Sequence, residues 1–119
     1  MTVAITTFGF KCGAPSGFDV VIDVRDLPNP FYEPQLRPLN GRDEPIAQYF
    51  ASKPGVESSV RSHAETVLAA AQRTPGPLRV AVGCTGGQHR SVYVAERIAA
   101  ALRAAGAAVT VTHRELAVS

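Results

Sequence analysis

The sequence predicts an α/β fold: a small, mostly parallel four-stranded sheet flanked by helices, with a phosphate-binding strand-loop-helix. Segments rich in β-branched and apolar residues alternate with segments of helical periodicity. The carboxyl-terminal part has the pattern strand, helix, strand, and such units almost always close with their strands parallel. The 119 residues are enough for one hydrophobic core, so we expect a single domain spanning 1–119.

The first two strands are predicted over Thr2–Phe8 and Asp19–Val24. Both segments are rich in residues that favour strands. Gly9 ends the first strand, and prolines beyond Leu27 end the second. We therefore expect two short strands before the first helix.

A proline-rich segment, Arg25–Pro45, follows the second strand. Its five prolines and one glycine exclude regular structure over most of its length. Loops of this length in compact domains are usually functional or disordered. Phe31, Tyr32, Leu36 and Leu39 supply apolar anchors, so we expect a folded, functional loop.

The remaining elements follow from periodicity and from breaker residues. They are helices over Asp43–Ala51 and Glu57–Gln72, a strand over Leu78–Gly83, a helix over Ser91–Ala105 and a strand over Ala108–His113. In the last helix Val94, Ile98, Leu102 and Ala105 share one face, which we expect to pack on the sheet. The same helix can instead form a dimer interface.

Bulk properties exclude several classes of protein. The formal net charge of +2 is a weak argument for nucleic-acid binding. The sequence has no membrane-spanning stretch and opens without a signal peptide, so we expect a cytoplasmic protein. Cys12 and Cys84 are too few for a disulfide framework and are predicted to be reduced thiols. No cofactor or metal ion is predicted.

The segment GCTGGQHRSV, residues 83–92, is the main candidate site. Its glycines allow a tight turn whose amides point inward, and the following helix adds the positive end of its dipole. Arg90 can make a forked contact with an anion, and Thr85 and Ser91 can donate hydroxyl hydrogen bonds. Ligands of parallel sheets bind beyond the carboxyl ends of the strands, where this loop must lie. The alternative is a tight turn whose polar residues serve only capping and solvation.

Cys84 and Arg90 also match the spacing Cys-x5-Arg, followed by Ser, of cysteine-dependent phosphatases. In those enzymes loop amides and the helix dipole stabilise a thiolate that attacks phosphorus. Asp26 or Asp23 would then be the general acid. The match is partial, because Gly83 stands where those enzymes usually carry a histidine. The alternative role of Asp26 is to cap a turn.

Asp23 lies near the carboxyl end of an apolar strand, where a carboxylate is costly unless it is paired or open to a cleft. Arg25, two residues on, lies on the same face. Two interpretations stay open. The residues form an internal ion pair, or Asp23 accepts hydrogen bonds from the hydroxyl or ammonium groups of a sugar whose phosphate Arg90 holds.

Four segments are informative together: FGFKCGAP (8–15), DVVIDVRDLPNPFYEPQLRPLNGRDEPI (19–46), VAVGCTGGQHRSVYVAERIA (80–99) and VTHREL (111–116). They resemble the C-terminal domain of the RapZ family of bacterial RNase adapter proteins. The resemblance implies a cytoplasmic module that senses glucosamine-6-phosphate and, in some members, binds small regulatory RNA and presents it to an endoribonuclease. It implies binding rather than phosphatase activity. It places Asp23, Cys84, Thr85, Gly86, Gly87, His89 and Arg90 around the sugar phosphate, supported by Arg25 and Arg37.

The sequence departs from that family in three respects. Full-length members begin with a nucleotide-binding domain carrying a Walker loop, a motif absent here, so ATP or GTP binding is not expected. Some RNA-binding members end in a basic tail, whereas this chain ends HRELAVS. Phe31 follows LPNP where RNA-adapter members can carry a ligand-contacting histidine, which predicts a shift in ligand identity.

The leading hypothesis is a stand-alone sensor of a small phosphorylated metabolite that acts through RNA or a regulatory protein partner. Its ligand-binding residues are those around the sugar phosphate together with Ser91. One alternative is a phosphatase using Cys84, Arg90 and Asp26, and another is an interaction domain with a vestigial pocket. A third is an RNA-binding module with a basic surface of Arg25, Arg37, Arg42, His113 and Arg114. Formation of a homo-oligomer stays open.

Overall fold

The sheet has four strands, all parallel, in the spatial order β2-β3-β1-β4. The computed structural model describes residues 1–116; residues 117–119, the end of the HRELAVS segment, lie outside the described part. The strands are β1 (Thr2–Gly9), β2 (Val20–Asp23), β3 (Leu78–Cys84) and β4 (Ala108–His113). The predicted α/β class is confirmed, and the sheet is wholly rather than mostly parallel.

Three α-helices accompany the sheet in the described chain: α1 (Glu44–Ala51), α2 (Val56–Arg73) and α3 (Arg90–Ala104). Helix α3 packs across β1, β3 and β4, and α2 packs against α3 and β3. Val94, Ile98 and Leu102 are buried as predicted, but Ala105 is exposed. It lies one residue beyond α3, where the chain turns toward β4. None of the helices in residues 1–116 is long and apolar enough to cross a membrane.

The strand register brings residues distant in sequence to one edge of the sheet. Gly9 pairs with Cys84, Asp23 with Gly83, and Thr7 with His113. Because all four strands are parallel, their carboxyl ends meet at this edge, where α3 begins. The edge is therefore the part of the fold that positions a site.

The segment between β2 and α1 is an ordered loop with two 3₁₀ helices, Pro30–Tyr32 and Pro34–Leu36, each beginning at a proline. Leu36 is buried and Leu39 half-buried, as predicted for anchors. The prediction is wrong for Phe31 and Tyr32, which are exposed. Pro30 is the buried residue of the first 3₁₀ helix, so the two aromatic rings lie on its outer side.

Candidate anion-binding site

A cavity of about 210 Å³ opens at the carboxyl edge of the sheet, between the β3–α3 loop and the segment after β2. Both elements converge here because β2 and β3 are neighbours in register. The residues that line the cavity are Lys11, Asn29, Phe31, Cys84, Thr85, Gly86, Gln88, His89 and Arg90. Lys11 and Arg90 are cations, and none of the described residues that line the cavity carries a carboxylate. The composition favours an anionic ligand.

Arg90, the first residue of α3, is only 6% exposed. Its Nη1 donates to the backbone carbonyls of Arg25 (2.7 Å) and Leu27 (3.3 Å), and its Nη2 donates to Thr85 Oγ1 (3.3 Å). None of the ion pairs among residues 1–116 includes Arg90. The guanidinium is thus oriented by neutral acceptors, and its charge is left for a ligand.

The backbone of the β3–α3 loop adds a row of donors. Within the described chain, the amides of Gly86, Gly87, Gln88 and His89 donate to no backbone carbonyl. The amino end of α3 is not capped by a side-chain hydrogen bond from His89, its N-cap residue. A left-handed Gly87 (φ +73°) turns the loop between these amides. Such a turn before a helix amino terminus is typical of anion-binding sites, and residues Gly86–His89 are called the cradle below.

Cys84 and Ser91 interact beneath the cradle. The Cys84 thiol donates to Ser91 Oγ at 3.2 Å, and both residues are almost fully buried. Cys84 still contributes to the cavity lining, whereas Ser91 does not. The Ser91 hydroxyl, expected to face a ligand, instead accepts from the thiol.

His89 and Gln88 attach the proline-rich loop to the cradle. His89 Nε2 donates to the Leu36 carbonyl at 3.0 Å, and Gln88 Nε2 donates to the carbonyls of Arg37 (2.7 Å) and Leu39 (2.6 Å). Burial lowers the pKa of His89 below its usual range, and the positive charge of Arg90 lowers it further. The hydrogen bonds to Leu36 and Leu39 raise the pKa but do not outweigh these two effects. The lowered pKa favours the neutral imidazole, and the bond to the Leu36 carbonyl fixes one wall of the cavity.

Asp23 and Arg25 form an ion pair beside the cavity but do not line it. Arg25 Nε and Nη2 reach the two carboxylate oxygens at 3.0 and 2.7 Å, and the guanidinium lies 3.8 Å from the Phe10 ring centroid. These hydrogen bonds hold the pKa of Asp23 below its usual range. Both side chains are about half exposed, so the carboxylate is at once paired and open to solvent.

Comparison with known proteins decides the family. The family model described as the RapZ C-terminal domain matches residues 1–117. The chain belongs to the RapZ C-terminal domain family.

Curated relatives of this RapZ C-terminal domain bear the name nucleotide-binding protein. One from Ralstonia nicotianae is 50% identical and aligns with 99% of this chain and 41% of its own length. Another, from Laribacter hongkongensis, is 47% identical over 98% of this chain and 43% of its own length. A third, from Clavibacter michiganensis, is 46% identical over 96% of this chain and 41% of its own length. The chain thus spans about two fifths of the length of these relatives.

The other predicted ligand-binding residue of this RapZ C-terminal domain, Arg37, lies outside the cavity lining. Its Nε donates to the Phe31 carbonyl at 2.7 Å, and its guanidinium lies 4.7 Å from the Phe31 ring centroid. Arg37 therefore holds the Phe31 wall in place. Gly87 also contributes through the backbone turn rather than through the lining.

The phosphatase constellation is incomplete in this RapZ C-terminal domain. Cys84 and Arg90 face one cavity, but Asp26 is exposed and lies outside its lining, as does Asp23. Among residues 1–116, none that lines the cavity has a carboxyl group that could protonate a leaving oxygen.

The residues predicted to form a basic RNA surface are mostly paired with carboxylates. Arg42 and His113 both contact Glu96 Oε1, at 3.7 and 3.1 Å, and Arg114 contacts Glu115 at 2.6 Å. Arg25 is paired with Asp23, which leaves Arg37 without an ion pair to another described residue. The pairing reduces the positive potential that RNA would meet.

Four residues that line the cavity are not among the predicted ligand-binding residues: Lys11, Asn29, Phe31 and Gln88. The Lys11 amide donates to the Thr85 carbonyl at 3.1 Å, which places the residues after β1 beside the cradle. Parallel neighbours end at the same edge, so the order of β1 and β3 in the sheet is the signal that would have found Lys11. That order is not visible in local sequence patterns.

Proposed function

We propose that this chain is a sensor domain that binds a small phosphorylated metabolite, an amino-sugar phosphate of the glucosamine-6-phosphate type. One observation carries the proposal: the buried Arg90 guanidinium has no carboxylate partner in the described chain and lines a cavity beside unpaired loop amides. A buried cation without a counter-ion is costly, and a bound phosphate would supply that counter-ion.

The phosphate lies against the loop amides and Arg90, with Lys11 at the rim. A phosphate monoester is dianionic near neutral pH, and two cations with several amides match its charge and acceptors. Lys11 is exposed and its Nζ would lie 3.8 Å from a Cβ placed on Gly86, which supports its role at the open side of the cradle.

The sugar extends toward β2, where Asp23 pairs in register with Gly83, the residue before Cys84. Arg25 donates to both oxygens of the Asp23 carboxylate, and on its solvent-exposed side the half-exposed carboxylate can accept further hydrogen bonds from hydroxyl or ammonium groups. Phe31, 51% exposed, offers a ring face to the apolar side of a sugar.

The binding experiment compares glucosamine-6-phosphate, glucosamine and inorganic phosphate by thermal unfolding and calorimetry. A ligand at 100 times its Kd adds about 2.7 kcal/mol to the free energy of unfolding. We expect stabilisation in the order sugar phosphate, phosphate, glucosamine. Equal stabilisation by sugar phosphate and phosphate reduces the proposal to a generic anion site, and no shift with any of them refutes it.

Variants of Arg90 connect that binding to the cavity. Arg90→Lys keeps a positive charge but loses the fork, and Arg90→Ala loses both. We expect weaker binding in Arg90→Lys and none in Arg90→Ala. Arg103→Ala is the matched control, because Arg103 is an exposed arginine of α3 that also donates to a backbone carbonyl, that of Val109. Unchanged binding in Arg90→Ala rules out this site.

The ligand panel also includes ATP and GTP, since the relatives are named nucleotide-binding proteins. The sequence contains no Walker loop, so we expect no nucleotide-specific stabilisation. We further propose that the domain is cytoplasmic and acts through RNA or a protein partner, with ligand occupancy as the signal. Pull-down of structured RNA with and without glucosamine-6-phosphate tests the RNA arm, and affinity that does not fall with added salt argues against it.

A further inference from the structure

The turn after β4 reaches back to the end of β1. Glu115 Oε2 accepts the backbone N–H of Gly9 at 2.8 Å, and the Arg114 amide donates to the Thr7 carbonyl at 3.1 Å. The Glu115 side chain is 16% exposed and does not line the cavity. The carboxylate thus lies under the cradle rather than inside it.

The cradle packs directly on this glutamate. A Cβ placed on Gly87 would lie 2.5 Å from Glu115 Cγ, 2.7 Å from Gly9 N and 2.8 Å from Phe8 C. A Cβ on Gly9 would lie 2.6 Å from the backbone carbon of Gly86. The Glu115 stem, the end of β1 and the loop backbone therefore leave no space for the loop to move inward.

Arg114 neutralises the glutamate. Its Nε and Nη2 donate to Glu115 Oε2 at 2.9 and 2.6 Å, and Nη2 also donates to the Gly13 carbonyl at 2.6 Å. These bonds, with that from Gly9, keep the pKa of Glu115 below its usual range. A carboxylate next to an anion site would repel the ligand, and the adjacent guanidinium cancels most of that field.

We propose that Glu115 is a positioning residue for the anion cradle: by holding Gly9 and supporting Gly87, it sets the direction of the Gly86–His89 amides. The inference rests on the proposed function, because it concerns the same site. Glu115 acts through the loop backbone and touches no ligand. By linkage, if Glu115 strengthens anion binding in the cradle, a bound anion stabilises the contacts of the Arg114–Glu115 turn by the same amount.

Three substitutions separate support from charge. Glu115→Ala removes the acceptor and the stem, whereas Glu115→Gln keeps an oxygen for the Gly9 amide and nearly the same volume. Glu115→Asp keeps the charge but withdraws it by one methylene. Glu65→Ala is the control, since Glu65 is an exposed glutamate of α2 away from the cavity.

The first measurement uses the ligand-free protein. Amide hydrogen exchange and backbone NMR shifts report the cradle directly, and we expect faster exchange and shifted signals at Gly86 and Gly87 in Glu115→Ala. Glu115→Gln and Glu65→Ala should match the parent. If Glu115→Ala does not fold, Glu115→Asp takes its place. Unchanged exchange and shifts at Gly86 and Gly87 overturn the inference whether or not phosphate binds.

The second measurement titrates inorganic phosphate. Because Glu115→Ala loses one supporting hydrogen bond, we expect its Kd for phosphate to rise roughly fivefold. The Kd of Glu115→Gln should stay near the parental value. Reciprocally, phosphate should slow exchange of the Arg114 and Glu115 amides in the parent. A parent that does not bind phosphate refutes the proposed function but leaves the ligand-free test decisive. Equal Kd values for Glu115→Ala and the parent refute the positioning role.

Discussion

Arg90 holds Arg25 through the backbone and not through a side chain: the Nη1 group of Arg90 donates to the Arg25 carbonyl at 2.7 Å, while the Arg25 guanidinium turns to Asp23. Of these two arginines, one is neutralised by a carboxylate and the other keeps its full charge. The bond also fixes the chain after β2 against α3. One side chain thereby serves both the fold and the candidate site.

Loss of the Arg90 bonds should destabilise the protein. Arg90→Ala leaves the carbonyls of Arg25 and Leu27 without their donor, at a cost of about 1–3 kcal/mol in the free energy of unfolding. Urea denaturation measures the difference. Arg103→Ala removes an exposed bond to the Val109 carbonyl and should change the free energy by less than about 0.5 kcal/mol. Equal losses in the two variants would contradict the role given to Arg90.

Stability should fall in mild acid because of His89. Its pKa is lowered in the folded state from the ordinary 6.5, so below pH 6.5 the unfolded chain binds a proton that the folded protein excludes. The free energy of unfolding is therefore fully retained above that pH and decreases as the pH falls toward the folded-state pKa. Unfolding by urea at several pH values from 7.5 down to about 5 measures the slope.

His89→Gln removes this ionisation, so its stability curve should be flatter over the same interval. The control is His63→Gln, a half-buried histidine of α2 outside the cavity. Asp23, Glu57 and Glu115 have lowered pKa values and lose their contribution only at pH values below the 3.8 and 4.5 of free carboxyls. A slope in His89→Gln identical to that of the parent would exclude His89 as the cause.

Phe31 should select for the organic part of the ligand. Covering about 50 Å² of its ring contributes about 1.3 kcal/mol, which corresponds to about a tenfold difference in affinity. Phe31→Ala should therefore weaken glucosamine-6-phosphate binding by that factor and leave inorganic phosphate binding unchanged. Tyr32→Ala is the control, because Tyr32 is 78% exposed and outside the lining. Parallel losses for both ligands would show that Phe31 acts only on the shape of the loop.

Gly41 should tolerate no side chain. A Cβ there would collide with the backbone nitrogen of Tyr93 and the carbonyl of His89, and the Gly41 amide donates to the Gln88 carbonyl at 2.9 Å. Gly41→Ala should cost about 1–3 kcal/mol and weaken anion binding, because it pushes the loop away from the cradle. Gly76→Ala, where a Cβ meets nothing within 4 Å, should be neutral by calorimetry. A stable Gly41→Ala would mean that the close approach to α3 is not maintained in solution.

Phosphate release is the remaining test between binding and hydrolysis. In the described part of the chain the cavity lining contains a buried thiol but no carboxyl group, so we expect no turnover of a panel of phosphomonoesters. Release that disappears in Cys84→Ser would favour the phosphatase alternative. Cys12→Ser controls for thiol chemistry outside the cavity, since Cys12 is an exposed free thiol.

Local sequence was sufficient to predict the strands, the α-helices and the turn before α3. The periodicity of apolar residues predicts α3, and the glycines before it predict a turn with free amides. Both features depend on residues that are close together in the sequence. The exposure of Phe31 and Tyr32 could not be predicted, since an aromatic ring can anchor a loop as Leu36 does, and the 3₁₀ helix decides which of its residues face inward. The burial of Ser91 could not be predicted either. Its hydroxyl can donate to a ligand, but it is buried against Cys84.

The positions of Lys11 and Glu115 beside the cradle could not be predicted for a different reason. Both reach the cradle through strand neighbours, and the order β2-β3-β1-β4 is a tertiary property. Nothing in the residues around position 84 points to position 11 or 115. His89, in contrast, was predicted to contact a ligand, and it lines the cavity, where its Nε2 donates to the Leu36 carbonyl. Its contact with a ligand stays a prediction.

The bond from Gly9 to Glu115 spans 106 positions of the sequence, as does the contact between Thr7 and His113. Closing so large a loop costs entropy that only late contacts recover. On a ribosome Glu115 cannot support the cradle until residue 115 has left the exit tunnel, so we expect a nascent chain, or one truncated before residue 115, to bind an anion there more weakly than the whole domain. On the proposed function, a response to the ligand would therefore mark a chain whose β4 and following turn have been synthesised and folded.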